Sequence, residues 1–270
     1  MPEAAEPTDR HPSDPPREPV QRWRLVTRRE ALDPDHQARA QAVAWEASLA
    51  ASGLPVAGLD APGGRPRLAL GAPLPPAVPG ERELADVWLT ARLPSWRVRD
   101  CLASNLPEGW TLVDLYDVWL GEPALSGQVV ASVYRAALEA GAPEASLALR
   151  LRDAVSELLA ATTVPRERAK GDRTVAYDLR PFVERLEVAR TPDGPATLVM
   201  ELRHDPEKGM GRPEEVLAEL SDRLGVPLPI ASIVRERLVL AAERPPVTGE
   251  GRRARQKLQR AGLAPRRPSC

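Results

Sequence analysis

Cysteine is almost missing from this chain, which carries only Cys101 and Cys270. Two distant thiols build neither a disulfide framework nor a CxxC metal pair, and they suit a reducing compartment. Histidine is as scarce, with His11, His36 and His204 at no spacing that makes a zinc site. Aromatic residues are 4% of the chain, so the row of stacking rings that single-strand nucleic-acid binders use is not available. No GxGxxG, GxxxxGK[ST] or GxSxG is present, which sets aside dinucleotide, P-loop and serine-hydrolase chemistry. Apolar runs stop well short of the roughly 20 residues that span a bilayer, and Met1 to Arg17 lacks the basic and hydrophobic regions of a signal peptide. These absences predict a cytoplasmic protein with no metal, no cofactor and no membrane partner.

Arginine, proline and small apolar residues take up the room. The 37 basic residues comprise 34 Arg and three Lys, and 30 residues are Pro. The same bias would follow from a GC-rich genome, as would the abundant Ala and Gly. Net charge is −1 but uneven. Residues 1–19 carry five acids against Arg10 and Arg17, whereas residues 244–270 carry eight bases against Glu250. A tail that basic can meet phosphates or an acidic partner.

Residues 1–20, with six prolines among the acids, cannot bury enough apolar surface to order themselves and are expected to be a disordered leader. The same reasoning makes 244–270 a disordered basic tail. Between them, Trp23, Leu25 and Thr27 alternate with Arg22, Arg24 and Arg28 at the period of a half-buried strand. Asp33 and Pro34 then open a helix carrying Ala38, Ala42, Trp45 and Leu49, and Gly53 stops it. Strands over 67–70 and 84–93, a helix from Pro94 and a strand over 111–119 complete the order β-α-β-β-α-β. A second round follows: a strand over 129–138, a helix after Pro143, strands over 162–168, 175–179 and 186–188, a strand around Leu198 to Leu202, a helix from Pro213 and a strand over 233–240. The expected fold is α+β, two tandem ferredoxin-like halves over 21–122 and 123–243, each an antiparallel sheet with helices on one face and the other face free.

The densest polar grouping is Arg166, Arg168, Lys170, Asp178 and Arg180, lying across a hairpin. Asp178 and Arg180 share a strand face by period two, so the grouping is either a structural ion pair or, with four bases in a short hairpin, an anion-binding face. Arg212, just before Pro213-Glu214-Glu215, is a base at a helix N-terminus, where only an anion or a partner carboxylate favours it. Arg235 and Arg237 share one face of the closing strand. His36, beside Asp35, could act as a general base or stand solvated in the first turn of its helix. Gly63-Gly64-Arg65 could be a phosphate-approaching loop or a plain turn.

Arg166 to Lys170, Asp178-Leu179-Arg180-Pro181, Arg212-Pro213-Glu214-Glu215-Val216-Leu217 and Arg235 resemble the radical SAM-associated protein family of unknown function. Arg24-Leu25, Arg65-Pro66-Arg67-Leu68, Ala72-Pro73-Leu74-Pro75, Glu81 to Val87 and Leu106-Pro107-Glu108-Gly109 stand in that family's order, so the resemblance covers roughly 21–240. It departs at Asp35-His36-Gln37-Ala38-Arg39 and at Ala61-Pro62-Gly63-Gly64, so no catalytic residue carries over. The resemblance implies a separately encoded radical SAM protein as partner and an RNA-related role. With two cysteines against the three that a radical SAM cluster takes from the protein, this chain is not itself the radical enzyme. The expected function is a non-catalytic accessory protein that holds structured RNA through Arg166, Arg168, Lys170, Arg180, Arg212 and Arg235. The alternatives are an adaptor docking on the radical SAM protein and a metal-independent ribonuclease using His36.

Overall fold

The computed structural model describes residues 17–33, 38–61, 63–139, 144–170, 173–190 and 196–243. The expected leader up to residue 16, His36 and the basic tail 244–270 lie outside the described residues. The elements run β1 (Gln21–Arg29), α1 (Ala38–Ala51), β2 (Leu68–Leu70), β3 (Gly80–Leu89), α2 (Ser95–Ala103) and β4 (Trp110–Val118). The chain continues through α3 (Leu125–Gln128), β5 (Val129–Leu138), α4 (Glu144–Ala160), β6 (Pro165–Lys170), β7 (Arg173–Asp178) and β8 (Val183–Arg190). It closes with β9 (Ala196–Asp205), β10 (Gly209–Met210), α5 (Pro213–Leu224) and β11 (Ile230–Leu240). Local chemistry sets the boundaries as expected at α5: Pro213 sits at the first helical position, and Gly225, at φ 69, takes the left-handed cap that a side chain would resist.

The result is a mixed α/β protein built on one large, mostly antiparallel sheet. Its order is β10-β9-β5-β11-β3-β1-β4, with β2 added on β3 and β8 on β9. Among the first-half strands the pairing order is β4-β1-β3-β2, and among the second-half strands it is β11-β5-β9-β8. The expectation of two sheets is corrected here, because β11 and β3 meet in parallel at Arg235 and Gly80 and fuse them. The hairpin β6–β7, expected to continue the sheet, forms a separate two-stranded unit instead.

Helices cover one face of each half. Leu151, Val155 and Leu158 of α4 and Val216, Leu220 and Leu224 of α5 pack on Ala136, Leu198 and Met200. Trp45 and Leu49 of α1 and Val98 and Leu102 of α2 pack on Trp23, Leu25 and Val87. The opposite face of the first half is not free. Leu125 of α3 joins Leu84, Leu238 and Leu240 there, and Arg22 and Arg24, expected on a solvated face, are 1% and 2% exposed.

Candidate functional site

On that second face a carboxylate is gripped by two guanidinium groups. Arg24 donates to Asp86 through Nε at 2.7 Å and Nη2 at 2.9 Å, and Arg22 through Nε at 3.0 Å and Nη2 at 2.5 Å. Arg22 also donates to the Glu122 and Pro123 carbonyls at 2.8 and 3.0 Å, which pins the connection leaving β4 over the sheet. Strand pairing places these groups in line, since Arg22 lies opposite Trp88 and Arg24 opposite Asp86. The arrangement is structural: all four oxygen and guanidinium groups are buried and mutually satisfied.

A second buried arginine system holds the proline-rich stretch between β2 and β3. Arg29 of β1 donates through Nη1 to the Leu74 carbonyl at 3.2 Å and through Nη2 to those of Pro75 and Pro76 at 2.5 and 3.0 Å, and also to Val78. Arg235 of β11 donates to the Ala72 and Pro73 carbonyls at 2.9 and 2.8 Å and forms a buried pair with both oxygens of Glu83. Proline contributes carbonyls but no N–H, so this stretch is rich in acceptors and poor in donors, and guanidinium groups supply the missing donors. Burial, with Arg235 nearby, lowers the Arg29 guanidinium to about 10, and Glu83 opposes the shift.

Two cavities open beside this clamp, each of about 360 Å³, one walled by Arg29, Leu70, Pro73, Pro76 and Glu83 and the other by Glu30, Leu32, Pro107 and Glu108. Gln41 of α1 and Trp110 of β4 line both, so the two cavities are neighbours. Sequence reasoning passed over Arg29 and these cavities. The run Ala72-Pro73-Leu74-Pro75-Pro76 was the available signal, because its carbonyls have to find donors somewhere.

The expected anion-binding residues have divided fates. Arg235 is corrected outright: it is fully buried and bonded to Glu83 and two carbonyls, so no phosphate can reach it. Arg180 spends Nε and Nη2 on the Leu159 carbonyl and Nη1 on that of Val183. Asp178 is not its ion-pair partner. Its Oδ1 instead accepts the backbone N–H groups of Val164 and Arg180 at 2.8 and 3.0 Å, because the chain leaves the strand at Asp178 and turns. Arg166 reaches from the hairpin to Asp222 and Glu219 of α5 at 2.5 and 3.1 Å, and Asp222 first, then Glu219, holds it protonated against the effect of burial. The side chain of Lys170 lies outside the described residues.

Arg168 and Arg212 differ from these. Arg168 lies over the Tyr177 ring at 5.0 Å, with its Nη2 near Gly209, where a Cβ would stand 3.7 Å away. Arg212 is exposed at the start of α5, and exposed Lys208 stands in the turn between β9 and β10. Arg168 and Lys208 thus lie beside Gly209, and Arg212 is exposed three residues further along the chain.

The other sequence candidates are structural. Gly64 packs against the Gly58 carbonyl so closely that a Cβ would lie 1.9 Å from it, and its N–H bonds the Ala61 carbonyl, which makes Gly63-Gly64 a plain turn. His204 Nε2 hydrogen-bonds the Ser132 hydroxyl at 2.9 Å. Among the described residues no group of three His, Cys, Asp or Glu could hold a metal ion, and no helix is long and apolar enough to cross a membrane.

Fold and site together define a mixed α/β protein with two neighbouring cavities and a basic hairpin rather than a metal centre among the described residues. The family model "Uncharacterized protein conserved in bacteria (DUF2344)" matches residues 63–213, more than half of the chain, and the chain belongs to that family. No curated protein sequence matches it. Among solved structures, a chain in "Crystal Structure of a Cbf5-Nop10-Gar1 Complex" is similar at TM-score 0.41 and 11% identity, over 79% of this chain and 49% of that one. A chain in "Crystal structure of the archaeal box H/ACA sRNP Nop10-Cbf5 complex" is similar at TM-score 0.37 and 13% identity, over 79% and 48%. This chain thus spans about half the length of the solved chains it matches.

Proposed function

We propose that this protein is a non-catalytic accessory factor that binds the phosphate backbone of structured RNA for a separate radical SAM enzyme. The observation that supports the RNA reading is that Arg168 and Arg212 have no acid partner among the described residues, whereas Arg166 and Arg180 are committed within the protein. Cations left over after internal pairing are the ones that can exchange counterions for phosphate. The radical SAM partner rests on the family resemblance, and the two cysteines of this sequence are fewer than the three that such a cluster takes. The strand orders β4-β1-β3-β2 and β11-β5-β9-β8 support reading the halves 21–122 and 123–243 as ferredoxin-like units that share one sheet.

Equilibrium binding to bulk transfer and ribosomal RNA across a salt series tests this. The Arg168→Ala, Arg212→Ala double variant is expected to flatten the log–log salt slope by about 1 to 2, while Arg180→Ala leaves it unchanged. An unaltered slope in the double variant sinks the reading.

The adaptor reading has its own support at the other end of the sheet. β4 is an edge strand, and around it Trp96 and Trp119 are 64% and 66% exposed, with Val113, Tyr116 and Leu120 also exposed. Co-purification with a co-expressed radical SAM partner after nuclease treatment, lost in a Trp96→Ser, Trp119→Ser variant, would favour it over RNA binding.

A further inference from the structure

The hairpin β6–β7 is clamped at its base and fastened to α5 by polar groups. At the base Val164 and Leu179 are buried, and the Leu179 N–H donates to the Val164 carbonyl at 2.9 Å. Asp178 accepts from the Val164 and Arg180 N–H groups there, and the Arg180 guanidinium holds the Leu159 and Val183 carbonyls. Beyond the base, none of the described side chains of the hairpin is buried. Its grip on α5 comes from one cross-strand pair, Arg166 opposite Tyr177. Glu215, Glu219 and Asp222 lie at i, i+4 and i+7 along α5 and so form one acidic stripe. Arg166 pairs with Asp222 and Glu219, and the Tyr177 ring packs T-shaped against Phe182. Burial, then the Glu215 carboxylate beside it, raises the pKa of the Tyr177 phenol. Closure is not free of cost, because the Tyr177 hydroxyl and Glu215 Oε2 are shut off from solvent without completing a hydrogen bond. Release strands little: the Asp222 side chain is already 67% exposed, and Glu219 keeps a 2.9 Å bond from Arg223 Nε. Arg166 is the group that release leaves in want of an anion.

We propose that β6–β7 is a phosphate-operated arm, which lies closed on α5 while Arg166 is paired there and swings out on its clamped base when RNA phosphates take Arg166 from Glu219 and Asp222. This rests on the RNA reading above and adds its regulation, since the closed arm withholds one of the cations that the open arm offers. Partly exposed ion pairs hold a closed state by only a small factor, so a few phosphate contacts suffice to open it.

Tyr177 reports the state of the arm. The chain has three tyrosines, so protein labelled with 3-fluorotyrosine gives a fluorine spectrum in which a Tyr177→Phe protein assigns the Tyr177 resonance. Tyr134, buried in the core, reports that the fold is kept. A Glu219→Gln, Asp222→Asn protein is expected to move the Tyr177 resonance toward its position in urea-unfolded protein without any RNA, and bulk transfer RNA is expected to move it the same way in the unsubstituted protein. The double variant is also expected to bind transfer RNA about fivefold more tightly, a gain that disappears when Arg166→Ala is added. Should the double variant not fold, Asp222→Asn alone carries the same comparison. A Tyr177 resonance that stays in place in the folded variant, RNA binding that leaves it in place, or an equal gain in affinity with Arg166→Ala added overturns the proposal, and each of these leaves the RNA reading standing. Absence of RNA binding by the unsubstituted protein and the variant alike sinks that reading and the arm with it.

Discussion

The halves of the sheet differ in what they bury. The second half closes on an apolar core from Tyr134 through Leu228, and β9 alternates buried and half-buried residues from Ala196 to Leu202. The first half buries an apolar core under its helices as well, but its other face holds Arg22, Arg24 and Asp86, and its rim holds Arg29 and Glu83. A sheet half covered on one side advertises itself by alternation. A sheet covered on both sides, with guanidinium groups doing the covering, alternates in the same way and means something different. In a chain with 34 arginines, alternation with Arg does not mark solvent.

Removing the centre of the charged face is the strongest way to break this contrast. Asp86→Ala leaves two buried guanidinium groups without their acid and is expected to lower unfolding free energy by about 3–5 kcal/mol in denaturant titrations. Leu198→Ala, at the floor of the apolar core, is expected to cost about 3 kcal/mol. The two losses would respond to different conditions, since only the Asp86 site owes its stability to charge. Asp222→Ala probes an ion pair of a different kind, with the Asp222 side chain 67% exposed, and is expected to cost about 0.5 kcal/mol and less in high salt.

The smallest effect concerns the turn between β9 and β10. There Asp205 accepts from the Lys208 and Glu207 backbone N–H groups, and these two bonds hold its carboxyl below the ordinary value of 3.8. Its folded value being the lower one, its contribution is complete above the ordinary carboxylate range and fades as pH falls through the depressed value. The protection factors of the Glu207 and Lys208 amides, each rate taken relative to the intrinsic rate at that pH, should therefore fall in acid and stay constant with pH in an Asp205→Asn protein.

Much of the element order was legible. Val129–Leu138 emerges with the bounds that its pattern predicts, and α5 starts at Pro213. Local signals suffice there, because hydrophobic period and end-capping residues lie within a few positions of each other. What was not legible depends on partners far along the chain. β3 begins at Gly80, four residues before the strand predicted from Leu84, because pairing with Arg29 draws in polar residues that show no strand period. The hairpin β6–β7 stands apart from the sheet with Arg166 paired to Glu219 and Asp222 of α5, and no spacing within the hairpin announces that. Arg235 sits 152 residues from Glu83, so its burial could not be read from its own strand. Of the candidate site, the bases at 168 and 212 were found by local charge, whereas the two cavities are assembled from β1, α1, β4 and the stretch before β3.

The Arg235–Glu83 pair joins strands from opposite ends of the sequence, and the chain itself crosses between the halves only once, through the stretch that contains α3. The connecting peptide is thus a tether, while the seam does the joining. A nick between Ser126 and Gly127, both exposed, leaves every seam contact in place. The two pieces would then serve as a complementation pair, in which a reporter split across them lights up on reassembly and stays dark when Glu83 is replaced.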